Sequence, residues 1–145
     1  MRVNDKNILV LASNSPRRRQ LLALGNWNFV VNVADIDEAV LEGETPKEYV
    51  IRLAQEKALA VKDKANVENI IIGSDTTVVV DDTILGKPVD AQEAEKMLRQ
   101  LRGRTHQVYT GIALYRVRDG KMLTELSITD VPMRDYSDDE IRAYI

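Results

Sequence analysis

The chain has 145 residues, of which 44% are hydrophobic and 30% charged, with a net charge of −3. That is the size and composition of one soluble domain, able to bury roughly 70% of its unfolded surface without cross-links. It has no cysteine, which excludes disulfides, zinc–thiolate sites and cysteine nucleophiles.

Residues Ile8 to Ala12 form the longest apolar run. It is short enough for a buried strand and too short to span a membrane. The basic cluster Arg17-Arg18-Arg19 follows this run, the reverse of a secretory signal, so a cytoplasmic protein is the default expectation. Ser15 suits an N-cap and Pro16 the first helical position, which predicts a helix from Pro16 to about Leu24, stopped at Gly25. Phe29 to Val33 reads as a second strand. Asp35 to Gly43 reads as an acidic connection. Thr45-Pro46-Lys47-Glu48 is a capping box opening a helix that carries Tyr49, Val50, Leu53, Ala54, Ala58 and Val61 on one face. Ile70 to Ile72 reads as a buried strand ending in Gly73-Ser74-Asp75. Thr76–Val80 and Thr83–Leu85 then form a hairpin around Asp81-Asp82. Asp90 and Glu93 frame a third helix through Leu101. Val108–Val117 and Met122–Val131 flank the hairpin turn Asp119-Gly120. Ser137 and Glu140 open a last helix with Ile141, Tyr144 and Ile145. Strands intermix with helices, and hairpins make the sheet mixed: the expected class is α/β. The last helix has made only about two turns when the sequence stops, which reads as a domain cut short and predicts an exposed apolar patch at Ile141, Tyr144 and Ile145. Neither half of the sequence is basic, and 5 Tyr, 1 Phe and 1 Trp are few for base stacking. No nucleic-acid partner and no membrane are expected.

Four groups of residues suit chemistry. Ser13, Ser15, Arg17, Arg18 and Arg19 surround a helix N-terminus, where unpaired N–H groups and guanidinium forks match phosphate oxygens. The alternative is a capped helix with solvated arginines. Of the two outer arginines, Arg17 is expected to serve a phosphate better than Arg19, being nearer the N-terminal N–H groups. Asp75, placed at a strand end, can bind a cation or take a proton from water; an Asx turn is the competing reading. In Asp35-Ile36-Asp37-Glu38 an extended chain puts Asp35 and Asp37 on one side and Glu38 on the other. Lys57 lies on the second helix, and Lys87 is pinned between Gly86 and Pro88. His106 is the single histidine, which rules out a nitrogen-rich metal site and favours a structural role. A Ser13–His106–Asp75 triad lacks the nucleophile-elbow pattern.

Taken together, the segments ILVLASNSPRRRQLL, DIDE, YVIRLAQEKA, IIIGSDTTVVVDDTILGKP, LRGRTHQVYTGIAL and SDDEIRAYI resemble the Maf family of nucleoside triphosphate pyrophosphatases. The resemblance covers essentially the whole chain in order. It implies a mixed, strongly curved sheet flanked by helices, with a deep cleft of the kind shared with inosine triphosphatases. It also implies cleavage of a nucleotide between its α- and β-phosphates, a Mg²⁺ or Mn²⁺ cofactor held at Glu38 and Asp75, and a homodimer. On the matching positions, Ser13, Ser15, Arg17 and Arg18 line the phosphate site. Asp75 is the proton acceptor, and Glu38, Lys57 and Lys87 complete the catalytic set. Arg17 and Thr76 match positions tied to base selection, and the pattern resembles the dTTP/UTP group rather than the 7-methyl-GTP group. The family continues beyond Tyr144-Ile145 with a segment absent from this sequence. Two other readings stay open: a non-catalytic nucleotide-binding regulator of septum formation, and a nucleotidyltransferase using the same cradle.

Overall fold

The computed structural model describes residues 8–145. Residues 1–7, on which part of the leader and single-domain readings rests, lie outside the described residues. One mixed sheet of six strands organises the chain, in the order β2-β1-β3-β5-β6, with β4 pairing to β3. β1 (Leu9–Leu11) lies parallel between β2 (Phe29–Val31) and β3 (Ile70–Val80). β5 (Thr105–Arg116) and β6 (Lys121–Pro132) form a long antiparallel hairpin beside β3, closed by Gly120 at φ 71°. β4 (Thr83–Leu85) folds back on β3 through Asp81 and Asp82, both left-handed at φ 48° and 61°. Two successive positive φ values are what a two-residue hairpin turn demands, and aspartate tolerates them.

The helices start where their caps direct. Ser15 Oγ accepts from Arg18 N at 3.4 Å before α1 (Pro16–Ala23), and Thr45 Oγ1 accepts from Glu48 N at 3.2 Å before α2 (Pro46–Ala60). Asp90 and Ser137 cap α3 (Ala91–Leu101) and α4 (Asp138–Tyr144) in the same way.

α2 is the structural centre. Its buried face of Val50, Leu53, Ala54 and Ala58 lies on β3 and β5. The contact is close because two glycines face it. A Cβ on Gly73 would stand 2.1 Å from Ala54 O, and one on Gly111 would stand 2.4 Å from Val50 O. Helix backbone therefore rests directly on strand backbone. Val10, Ala12, Ala58, Val61 and Ile71 make one core cluster, and Tyr49, Val50 and Leu53 make a second, backed by Ile36, Ile84, Tyr109 and Leu126. Each fully buried aliphatic side chain contributes about 1.5–3 kcal/mol.

Two expectations change. β3 does not end at Gly73-Ser74-Asp75 but runs on to Val80. The reason is β5, which pairs with β3 from Ile70↔Arg116 to Val79↔Gln107. What ends there is β1, at Leu11, so the β1 side of β3 is open from Gly73 to Thr77, before β4 pairs with it at Val78. Asp75 stands on that stretch, opposite Gly111. The second change is at α4. Ile141 is buried, and only Tyr144 and Ile145 are exposed. An Arg102–Asp138 ion pair at 2.7 Å and the Tyr136 hydroxyl on Leu98 O tie α4 to α3. Among the described residues, no helix is long and apolar enough to cross a membrane.

His106 is buried on β5, and its Nδ1 has no hydrogen-bond partner among the described residues. Burial holds its pKa below the ordinary 6.5. The unfolded chain therefore takes up a proton near pH 6.5 that the folded chain takes up only at lower pH. Stability falls as pH drops through that window. We expect the denaturation midpoint to fall between about pH 7.5 and about pH 5.5, and this slope to flatten in His106→Gln. Thermal melts of both proteins check it.

Candidate active site

Beyond the end of β1 the sheet opens into a cleft of about 1000 Å³, continuous with a smaller hollow of about 350 Å³. Ser15, Arg18, Glu38, Lys57 and Lys87 line both. The hollow adds Ser13, Asn14 and Asp35, so it is polar and carries both signs of charge. The larger cleft adds Asp75 and Thr76 from β3 and the apolar side chains of Val40, Ile84, Leu85, Pro88, Met97 and Leu98. The polar hollow thus suits anionic oxygens and the apolar lining of the larger cleft a flat apolar group.

α2 delivers Lys57 to the cleft. Its Nζ donates to Asp75 Oδ1 at 2.9 Å and pairs with Glu38 Oε1 at 2.9 Å. The close glycine contacts set this geometry, because Gly73 lies on β3 two residues before Asp75 and meets α2 between Ala54 and Ala58. Asp75 is buried, with 6% of its surface exposed, so its carboxylate needs the partner it has. Glu38 is more exposed and sits on the segment between β2 and α2. The hydrogen bond from Lys57 is the main reason its pKa lies below the ordinary range; the Lys57, Lys87 and Arg18 charges add to this and partial burial opposes it.

Arg18 crosses from α1 to β3. Nη1 donates to Ser74 O at 3.1 Å and Nη2 to Thr76 Oγ1 at 3.1 Å. Thr76 Oγ1 in turn lies 3.1 Å from Thr110 Oγ1. Ser13 Oγ accepts from Ser15 N at 3.1 Å, holding the turn ahead of the helix.

The family model described as Maf-like protein matches residues 8–145. The chain belongs to the Maf-like family. The dTTP/UTP pyrophosphatase of Clostridioides difficile (strain 630) is 44% identical over 137 residues, which are 94% of this chain and 70% of that protein. The protein of the same name from Geotalea uraniireducens (strain Rf4) is 45% identical over 141 residues, 97% of this chain and 72% of that one. Among solved structures, the Staphylococcus aureus Ham1 protein superposes with a TM-score of 0.59 at 18% identity, covering 88% of this chain and 72% of that one. At that identity the likeness speaks for the fold.

Of the expected site residues, Ser13, Ser15, Arg18, Glu38, Lys57, Asp75, Thr76 and Lys87 come together in this Maf-like cleft. Arg17 does not. It is exposed and outside the lining of both hollows, whereas Arg18 is half-buried in them. Successive helix residues point about 100° apart, so only one of three consecutive arginines faces the floor. The acidic segment also divides differently from an extended strand: Asp35 and Glu38 both line the hollow, while Asp37 Oδ1 accepts from Ala39 N at 3.0 Å. No strand forms through these residues, and the alternation of a strand does not hold there.

Sequence reasoning missed two residues. Tyr49 reads as core from its helical spacing, yet it also lines the cleft and its hydroxyl reaches Glu38 O at 2.7 Å. Thr110 had no local signal, since only strand pairing places it beside Thr76. We expect Arg18→Ala to weaken binding of inorganic triphosphate about tenfold or more, the usual loss for a charge-assisted hydrogen bond. Arg17→Ala and Arg19→Ala should each cost less than about threefold, as exposed charges do. Calorimetric titration of the three variants checks the order.

Proposed function

We propose that this Maf-like chain is a nucleoside triphosphate pyrophosphatase acting on dTTP and UTP, converting nucleoside triphosphate and water to nucleoside monophosphate and pyrophosphate. The observation that carries it is the Lys57 ammonium held 2.9 Å from both the Glu38 and Asp75 carboxylates, on the floor of a cleft that also holds Arg18 and Lys87. A simple anion-binding site gains nothing from two carboxylates. A site that must bind phosphates and also deprotonate water needs both signs of charge. The names of the two relatives support the same reading.

A phosphoanhydride resists water because its own oxygens repel a nucleophile, so catalysis rests on charge neutralisation and positioning. Arg18, Lys87 and the α1 N-terminus face the phosphates, and Lys57 sits where negative charge grows as the bridging P–O bond breaks. Asp75 accepts the proton of the attacking water. Its hydrogen bond to Lys57 fixes the carboxylate in one orientation. The apolar lining with Val40, Met97 and Leu98 takes the base, and Thr76, bonded to Arg18, links the two ends of the nucleotide.

Glu38 and Asp75 would hold a divalent cation. The described residues offer no cluster of three or more His, Cys, Asp or Glu. Two carboxylates on one side of a cleft, with substrate oxygens and water completing the shell, suit Mg²⁺ or Mn²⁺. When bound, the cation supplies positive charge against the phosphate oxygens. The family resemblance further supports one domain working as a cytoplasmic homodimer.

The test is pyrophosphate release across a panel of dTTP, UTP, CTP, ATP, GTP and 7-methyl-GTP with Mg²⁺, alongside calorimetric binding. Release that is fastest with dTTP and UTP is expected. Tight binding of dTTP without release would favour the regulator reading instead.

A further inference from the structure

Glu38 is a weakly anchored member of the catalytic set. It sits on the irregular segment that joins β2 to α2, outside any helix or strand, and its side chain is 47% exposed. Yet its carboxylate must meet Lys57 on α2. We infer that Arg52, together with the Tyr49 hydroxyl, is a positioning clamp that holds Glu38 in register with Lys57. The inference rests on the proposed pyrophosphatase reading.

The geometry is specific. Arg52 Nε and Nη2 donate to Glu44 Oε2 and Oε1 at 2.6 and 2.9 Å, a two-pronged pair. Nη2 also donates to Ala39 O at 2.9 Å, on the residue next to Glu38. Nη1 donates to Glu56 Oε2 at 3.1 Å, one helical turn along α2. The guanidinium lies 5.8 Å from the Tyr49 ring centre, and the Tyr49 hydroxyl donates to Glu38 O at 2.7 Å. Glu44 passes the hold back to the segment, since its Oε1 accepts from Leu41 N at 3.1 Å and its own N–H donates to Leu41 O at 3.0 Å. The Glu44 side chain is 6% exposed, which is a costly place for a carboxylate without such a partner.

Tyr49, Arg52 and Lys57 all belong to α2. One rigid helix thus carries the lysine and grips the segment that carries its carboxylate partner. Displacements of about 1 Å in such a constellation cost on the order of a hundredfold in rate, so the grip has a catalytic consequence beyond stability. Lysine cannot replace the fork. It keeps the charge but offers a point donor in place of a planar set reaching Glu44, Ala39 and Glu56 together.

The experiment compares Arg52→Lys and Tyr49→Phe, each alone and combined with Glu38→Gln, by steady-state kinetics with dTTP and Mg²⁺ and by amide hydrogen exchange of the free proteins. Tyr49→Phe removes one oxygen atom, and it serves if Arg52→Lys does not fold. We expect exchange at the Ala39, Leu41 and Glu44 amides to rise about tenfold or more in Arg52→Lys. kcat should fall about tenfold to a hundredfold with KM changed less than about threefold. In the Glu38→Gln background the same changes should cost less than about twofold, because their route runs through the missing carboxylate. Tyr49→Phe should move the same readings less far. Unchanged kcat overturns the clamp. So does a full loss of kcat in the Glu38→Gln background, and so does lost kcat with unchanged exchange. If the folded parent releases no pyrophosphate, the pyrophosphatase reading fails; exchange then decides whether the clamp exists, and unchanged exchange overturns it.

Discussion

Asp75→Asn is expected to lower pyrophosphate release from dTTP by at least about a hundredfold, the range for a lost general base, while nucleotide affinity stays within a few-fold. The two halves of this expectation have different causes. Asparagine keeps the size of the side chain and a carbonyl oxygen able to accept from Lys57 Nζ, so the floor of the cleft stays packed. It has no basicity with which to take a proton from water. Removing one negative charge also leaves Lys57 with Glu38 as its carboxylate partner, so the ammonium faces the phosphates with less of its charge offset. Binding is therefore not weakened. Pyrophosphate-release kinetics and calorimetry on the same preparation separate the effects. Full turnover in the variant would remove Asp75 from the proton-accepting role.

Gly73→Ala produces the largest expected structural effect. Its added methyl group would stand 2.1 Å from Ala54 O and 2.9 Å from Ala58 N, both backbone atoms of α2. Neither can rotate away, so the helix must lift from the sheet. Overpacking of this kind costs about 1–3 kcal/mol, and more when backbone blocks relaxation. The site should suffer as well, since lifting α2 withdraws Lys57 from Asp75. We expect a fall in stability of about 3 kcal/mol and a loss of most turnover. Gly86→Ala is the control. A Cβ there meets nothing within 4 Å, and Gly86 has no left-handed φ. Its stability should stay within about 0.5 kcal/mol of the parent. Urea denaturation of the three proteins tests the contrast, and equal stabilities would mean that the helix is not seated on the strand as described.

The helix starts were legible because their signals are local. Ser15-Pro16, Thr45-Pro46 and Ser137 each combine a cap with the residues that follow it, and each opens a helix. The hairpin at Asp119-Gly120 was legible for the same reason. β3 was misread at Gly73-Ser74-Asp75 because glycine, serine and aspartate favour turns. There the glycine serves a different need, the close approach of α2, and the pairing that keeps the strand extended comes from β5, some 40 residues away in sequence. The lysines and carboxylates named from the sequence, Glu38, Lys57, Asp75 and Lys87, line one cleft, but their mutual geometry was not legible. It depends on how α2 lies across the sheet, and two glycines set that contact. Arg17 and Arg18 both read as phosphate-site residues, with Arg17 ahead of Arg19 by nearness to the helix start, whereas rotation about the helix axis brings Arg18 alone of the three into the cleft lining. Tyr49 looked like a core residue and no local signal singled out Arg52, because their hydrogen bonds to Glu38 O and Ala39 O exist only after the segment between β2 and α2 has folded over them.

The most direct test is ³¹P NMR of dTTP incubated with Mg²⁺ and the parent protein, with Asp75→Asn alongside. A cleft that neutralises the triphosphate and activates water through Asp75 yields dTMP and pyrophosphate with the parent and leaves dTTP almost untouched with the variant. Formation of dTDP and inorganic phosphate, or equal product from both proteins, would contradict the account.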